Sequence, residues 1–84
     1  MKIEILHSPG CARCQRELPA LREIARQADP SVQWVELNIV DVIDYAVELG
    51  VMKAPAVAID GQLAFTSLPS RGELASAMRA AGRG

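Results

Sequence analysis

The two cysteines of this chain stand three positions apart, at Cys11 and Cys14, and that spacing denies a short chain its usual covalent support. A bond between them closes too small a loop to remove much entropy from the unfolded state. Small disulfide-stapled domains carry more cysteines, spread along their length. The 84 residues must therefore hold together by burial, and a domain of that size buries roughly 60–65% of what its unfolded chain exposes. That suffices for one core, so a single domain over residues 1–84 is expected. Half of the residues are apolar but only 4% are aromatic, namely Trp34, Tyr45 and Phe65. The core has to be built from Ala, Val, Leu and Ile.

The charge pattern excludes several partners. Charged residues make up 23% of the chain and the formal net charge is −1, a balance that argues against disorder. It also offers no electrostatic footprint for nucleic acid or an anionic membrane. Met1 to Leu6 alternate charged with apolar residues and lack the apolar h-region of a signal peptide. The longest nearly apolar stretch, Ala54 to Ile59, is far too short to cross a bilayer. The expected compartment is the cytosol, which keeps dithiols reduced.

Changes of hydrophobic period divide the chain. Ile3, Ile5 and Leu6 read as a first strand that ends at Ser8-Pro9-Gly10. From Cys11 the period becomes helical, with Cys14, Leu18, Leu21, Ala25 and Ala28 on one side. Pro19 lies inside this helix and obstructs the carbonyl of Gln15, which predicts a kink. Asp29-Pro30 ends the helix, and Val32 to Ile39 reads as a second strand. Asp41 is the expected N-cap of a second helix through Tyr45 and Val47 to Leu49, closed by Gly50. Ala54 to Ile59 is strand-like, Asp60-Gly61 is a two-residue hairpin signal, and Gln62 to Thr66 returns as a fourth strand. Ser70-Arg71-Gly72-Glu73 is a capping box that opens a last helix with Leu74, Ala77, Met78 and Ala81 on one side. The tail, residues 82–84, is expected to fray.

The element order is thus β-α-β-α-β-β-α, an α/β arrangement. The first two strands, joined through a helix, should be parallel by a right-handed crossover. The last two form a hairpin and are antiparallel. A four-stranded mixed sheet with helices on both faces is expected.

Cys11-Ala12-Arg13-Cys14 falls where the first strand passes into the first helix. The sulfur of Cys11 then lies among the free N–H groups of the helix start, which favour a thiolate. Arg13 and Arg16 add positive charge nearby. Cys14 lies one turn deeper on the apolar stripe and should be shielded. An exposed acidic thiol followed by a shielded one is what thiol–disulfide exchange needs. Two other readings stand beside it. The pair is half of a metal or iron–sulfur site that a dimer could complete, since one chain has one histidine, His7, and no third cysteine. The cysteines could also be inert. His7 reads either as a strand-end residue without a chemical role or as a weak third ligand. Pro55 reads either as a plain loop-to-strand boundary or as a cis proline beside the cysteines.

The run from Ser8 to Cys14, the internal Pro19, and Leu49-Gly50-Val51-Met52-Lys53-Ala54-Pro55 together resemble a thioredoxin-fold oxidoreductase. Pro19 falls where thioredoxins carry their helix-kinking proline, and Pro55 where they carry their cis proline. The resemblance covers Lys2 to Ala81. It is strongest to the small thioredoxin-like and glutaredoxin-like redox proteins of archaea and bacteria, whose Gly-Cys-x-x-Cys and Gly-Val-Met-x-x-Pro signatures are matched by Gly10 to Cys14 and Gly50 to Pro55.

The resemblance implies a dithiol–disulfide oxidoreductase with Cys11 as nucleophile and Cys14 as resolving thiol. It implies that Ala54 and Pro55 hold the substrate backbone, that no cofactor is bound, and that a partner reductase restores the dithiol. The substrate would be a disulfide-bearing protein or small molecule, and the protein would act as a monomer. There are departures. Gly10 stands where thioredoxins usually have Trp, and Ala12-Arg13 replaces Gly-Pro. The buried acid of thioredoxins aligns near Ile5 and its lysine partner near Glu36, so Glu36 and Glu4 are the candidates to replace the acid. The glycine pair and aspartate with which glutaredoxins bind glutathione are absent from Phe65 to Ser70, which makes a glutathione-linked protein the lesser reading. Arg13, Arg16, Arg22 and Arg26 on the first helix face either acidic residues across the fold, at Asp41, Asp44 and Glu48, or acidic partners around Cys11.

Overall fold

The alternation in the first six residues organises the molecule, whose computed structural model describes residues 1–82. Strand β1, Lys2–His7, turns Ile3 and Ile5 to one face and Glu4 and Leu6 to the other, and all four are buried. A strand covered on both faces is a central strand. It pairs in parallel with β2, Gln33–Asn38, and antiparallel with β3, Ala56–Ile59. A turn at Asp60-Gly61 returns β3 into β4, Gln62–Phe65, which pairs antiparallel with it. The sheet is four-stranded and mixed, in the order β2-β1-β3-β4.

Two helices cover one face. Leu18, Leu21 and Ala25 of α1, Ala12–Ala28, pack with Leu74 and Met78 of α3, Arg71–Gly82, against Ile3, Ile5, Val57 and Ile59. Each such Leu or Ile, once fully buried, contributes about 1.5–3 kcal/mol. The other face is thinner. Leu6, Ala56 and Ala58 are buried there, and the short helix α2, Ile43–Leu49, which buries only Ala46, is tied to β1 by the Tyr45–Glu4 hydrogen bond. The small side chains of Ala46, Ala56 and Ala58 are buried on this side, in keeping with the aromatic-poor composition.

The turn chemistry follows the sequence. Asp60 and Gly61 both take positive φ, +50° and +81°, as a two-residue hairpin requires. The Asp60 carboxylate also accepts the Lys2 backbone N–H at 2.8 Å, which ties the hairpin tip to β1. At α3 the capping box is complete: Ser70 Oγ accepts the Glu73 N–H at 3.1 Å, and Glu73 Oε1 accepts the Ser70 N–H at 2.8 Å.

Some boundaries differ from expectation. Asp41 is not the N-cap of α2. The Asn38 side chain, at the end of β2, accepts the Val40 N–H at 3.0 Å and opens a single 3₁₀ turn over Ile39–Val42, with Asp41 inside it. An Asx side chain at a strand end captures the first free N–H, and α2 then continues from Val42, which makes no side-chain cap. Strand β3 starts at Ala56 rather than Ala54, because Pro55 has no N–H to give to a ladder. Helix α1 carries Pro19 inside it, as expected, with the proline on its exposed side. Of the tail, Gly82 closes α3, and residues 83–84 lie outside the described residues.

Candidate active site

Three residues make the corner between β1 and α1. Gly10 has φ +73°, a conformation that costs glycine little and other residues more. This turns the chain so that the Cys11 N–H donates to the Ser8 carbonyl at 3.3 Å. Cys11 is left at the N-cap with its sulfur accepting the Cys14 N–H at 3.1 Å. A sulfur here takes the place of the usual capping oxygen.

Cys11 and Cys14 are joined as a disulfide, with their Cα atoms 5.3 Å apart. Their environments differ. Cys14 is 3% exposed and belongs to the core with Leu18 and Leu21, whereas Cys11 is only partly buried at the surface corner. When the pair is reduced, a thiolate at Cys11 keeps the helix start and the Cys14 N–H as its electrostatic support.

The register brings the proline loop to the same end of the sheet. Leu6 opposes Ala56 in the β1–β3 ladder, so Pro55 follows on at the level of His7, just before the cysteine corner. The Ala54–Pro55 peptide bond is cis, and both residues are partly buried. Met52, in the same loop, is 95% exposed.

The charges around the site are redistributed relative to expectation. Arg13 is paired with Glu17 one turn along α1, so its charge is compensated and it is not a free cation beside Cys11. Among the described residues no ion pair joins the arginines of α1 to Asp41, Asp44 or Glu48; the expected attraction across the fold makes no direct contact. Arg22 instead reaches a cavity of about 260 Å³ beside the disulfide, shared with His7, Cys11, Cys14, Gln15 and Glu36.

The two acids considered as replacements for a buried carboxylic acid separate cleanly. Glu36 opposes Ile5 in the parallel ladder and lines the cavity of the cysteines. Its carboxylate accepts the Trp34 indole N–H at 2.8 Å. Glu4 is buried on the α2 face, so the sheet lies between it and Cys14. It accepts the Tyr45 hydroxyl, and Lys2 Nζ lies 3.9 Å away. The hydrogen bond to Glu4, then burial, then the charges of Glu4 and Glu48, push the Tyr45 phenol up to about 12.

The sequence offers His7 only as a strand-end residue without a chemical role or as a weak third ligand; the structure places it in the cavity with both cysteines. The signal was available: His7 has the parity of Ile3 and Ile5, and so belongs to the face that α1 covers. The Tyr45–Glu4 pair had no comparable signal, because 41 residues separate the two.

Comparison with known proteins agrees with this geometry. The profile of the Thioredoxin domain family matches residues 1–79. A thioredoxin of Methanocaldococcus jannaschii is 28% identical over 79 residues, covering 94% of this chain and 93% of its own. A probable thioredoxin of Methanothermobacter thermautotrophicus is 31% identical over 78 residues, covering 93% and 92%. Among solved structures, thioredoxin 1 of Thermosipho africanus superposes with a TM-score of 0.75 over 99% of this chain and 96% of its own, at 22% identity.

Proposed function

This chain belongs to the Thioredoxin domain family and is a thiol–disulfide oxidoreductase, and we propose that it reduces disulfides with Cys11 attacking and Cys14 resolving. One observation carries this division of labour. The sulfur of Cys11 is at the surface corner and accepts the Cys14 N–H, while Cys14 is in the core.

The cycle begins with the Cys11 thiolate attacking one sulfur of the substrate disulfide. The Cys11–substrate bond forms, the substrate disulfide breaks, and its other sulfur leaves as a thiolate that takes a proton from solvent. Cys14, deprotonated, then attacks the Cys11 sulfur. The Cys11–Cys14 bond forms, the mixed disulfide breaks, and the second substrate thiolate departs. Two electrons have passed to the substrate, and the protein is left in the oxidised form seen here.

Family membership implies disulfide substrates and a reductase that restores the dithiol. Ala54 and Pro55 are assigned to the substrate backbone: the end of β3 is beside the cysteine corner, and an extended segment can add to it by strand-like hydrogen bonds. The small Ala54 leaves room for varied neighbours. Among the described residues no helix is long and apolar enough to cross a membrane, and a dithiol that must stay reduced between turnovers suits the cytoplasm. The protein is assigned as a monomer, since one chain carries both sulfurs.

Trapping tests the roles. Reduced Cys14→Ser protein, mixed with a disulfide-bearing protein substrate, should accumulate a mixed disulfide on Cys11, while Cys11→Ser should accumulate none. An adduct that forms on Cys14 in the Cys11→Ser protein, and not on Cys11 in the other, would reverse the assignment.

A further inference from the structure

Resolution requires Cys14 to lose a proton inside the core. It is 3% exposed, only its thiolate attacks a disulfide, and burial disfavours that anion. A proton acceptor therefore has to be reachable from the interior side of the sulfur. The cavity of about 260 Å³ that Cys14 shares is the available route, and it has room for more than one water molecule. Of the other polar residues lining it, Arg22 has no acceptor, and neither Ser8 nor Gln15 serves as a base near neutral pH. That leaves His7 and Glu36.

Their engagements differ. Glu36 is exposed and holds the Trp34 indole N–H at 2.8 Å. His7 is half-buried on the face of β1 that carries Ile3 and Ile5, the residues Cys14 packs among. Its Nδ1 lies 3.5 Å from the Ser8 carbonyl. With the proton of the neutral ring on Nδ1, toward that carbonyl, Nε2 is the acceptor. Imidazole is also the side chain whose ordinary titration brackets neutrality, which suits a base that must both take and release a proton.

We propose that His7 is the general base of the resolving step, accepting the Cys14 proton through the cavity the two residues share. The inference rests on the reading of Cys14 as the resolving thiol. The Cys14 S–H bond breaks and its proton passes to His7 Nε2, directly or across one water. The Cys14 sulfur bonds to the Cys11 sulfur, and the electron pair of the mixed disulfide leaves with the substrate sulfur. The imidazolium returns its proton to solvent, from which the departing thiolate is protonated. The titratable and charged groups facing His7 are Cys11 at the N-cap of α1, Cys14 and Arg22 within α1, and Glu36 of β2; β3 contributes none.

A symmetrical nitrothiobenzoate disulfide separates the steps, since each release of its coloured thiolate is visible. Mixed with reduced protein, the first equivalent reports attack by Cys11 and the second reports resolution by Cys14. In His7→Gln the first phase should keep its rate. The second should slow about a hundredfold at neutral pH, and its rate should climb with hydroxide instead of levelling off as in the parent. An unchanged second phase would overturn the proposal, as would equal slowing of both phases, which would make His7 a structural residue. Loss of the second phase in Glu36→Gln, with His7→Gln unaffected, would also overturn it and give the proton to the carboxylate. Failure of the underlying reading looks different: the parent itself would then release one equivalent and stop.

Discussion

Among the described residues Glu4 is the one charged side chain in the core, and its position shows how a single residue can cost stability and be tolerated. Its carboxylate is held by the Tyr45 hydroxyl, with Lys2 near enough to offset part of the charge. Tyr45→Phe leaves that carboxylate one donor short and should destabilise the fold by about 1–3 kcal/mol at neutral pH, read from denaturant midpoints. The pH dependence has a definite sign. The unfolded phenol loses its proton near pH 10, but the folded one keeps it to about 12. Between those values the native state binds more protons, so this contribution is whole below pH 10 and is lost as the pH rises through 12. Tyr45→Phe should lack that part of the alkaline fall, and an identical slope in both proteins would contradict the assignment. Gly10 is constrained in another way. A Cβ there would meet nothing within 4 Å, so any cost of replacing it comes from its positive φ and not from crowding.

At the scale of elements, the parts legible in the sequence are those whose cause is local. The Asp60-Gly61 turn and the Ser70–Glu73 capping box each place both partners within four residues, and both are present as read. Ser70→Ala removes one half of that box and should lower stability by about 1 kcal/mol, measured by thermal or denaturant unfolding with the thiol chemistry retained. The start of α2 departs from the sequence expectation for a related reason. Asp41 has the right chemistry for a cap, but Asn38 comes first along the chain and takes the free N–H of Val40. Pairings across the sheet were less visible. That Glu36 and His7 share a cavity depends on the parallel register of β1 and β2, and one strand alone cannot specify that register. The cysteines were legible because one helical turn determines both their separation and their difference in depth.

For the whole molecule, one thick layer and one thin layer give the site its shape. The α1 and α3 side buries Cys14 in an aliphatic core, while β1 and β3 bring Cys11 and Pro55 to the same end of the sheet. Both thiols and the strands and helices that position them lie within the described residues, 1–82. The central claim is that the fold makes two chemically identical cysteines unequal. Alkylation of the reduced protein with iodoacetamide across a pH series, read cysteine by cysteine by peptide mass spectrometry, tests it directly. The account predicts that Cys11 is modified first, with a midpoint below the ordinary thiol value of about 8.5, and that Cys14 reacts only after unfolding. Equal reactivity of the two thiols, or a Cys11 midpoint at or above that ordinary value, would contradict it.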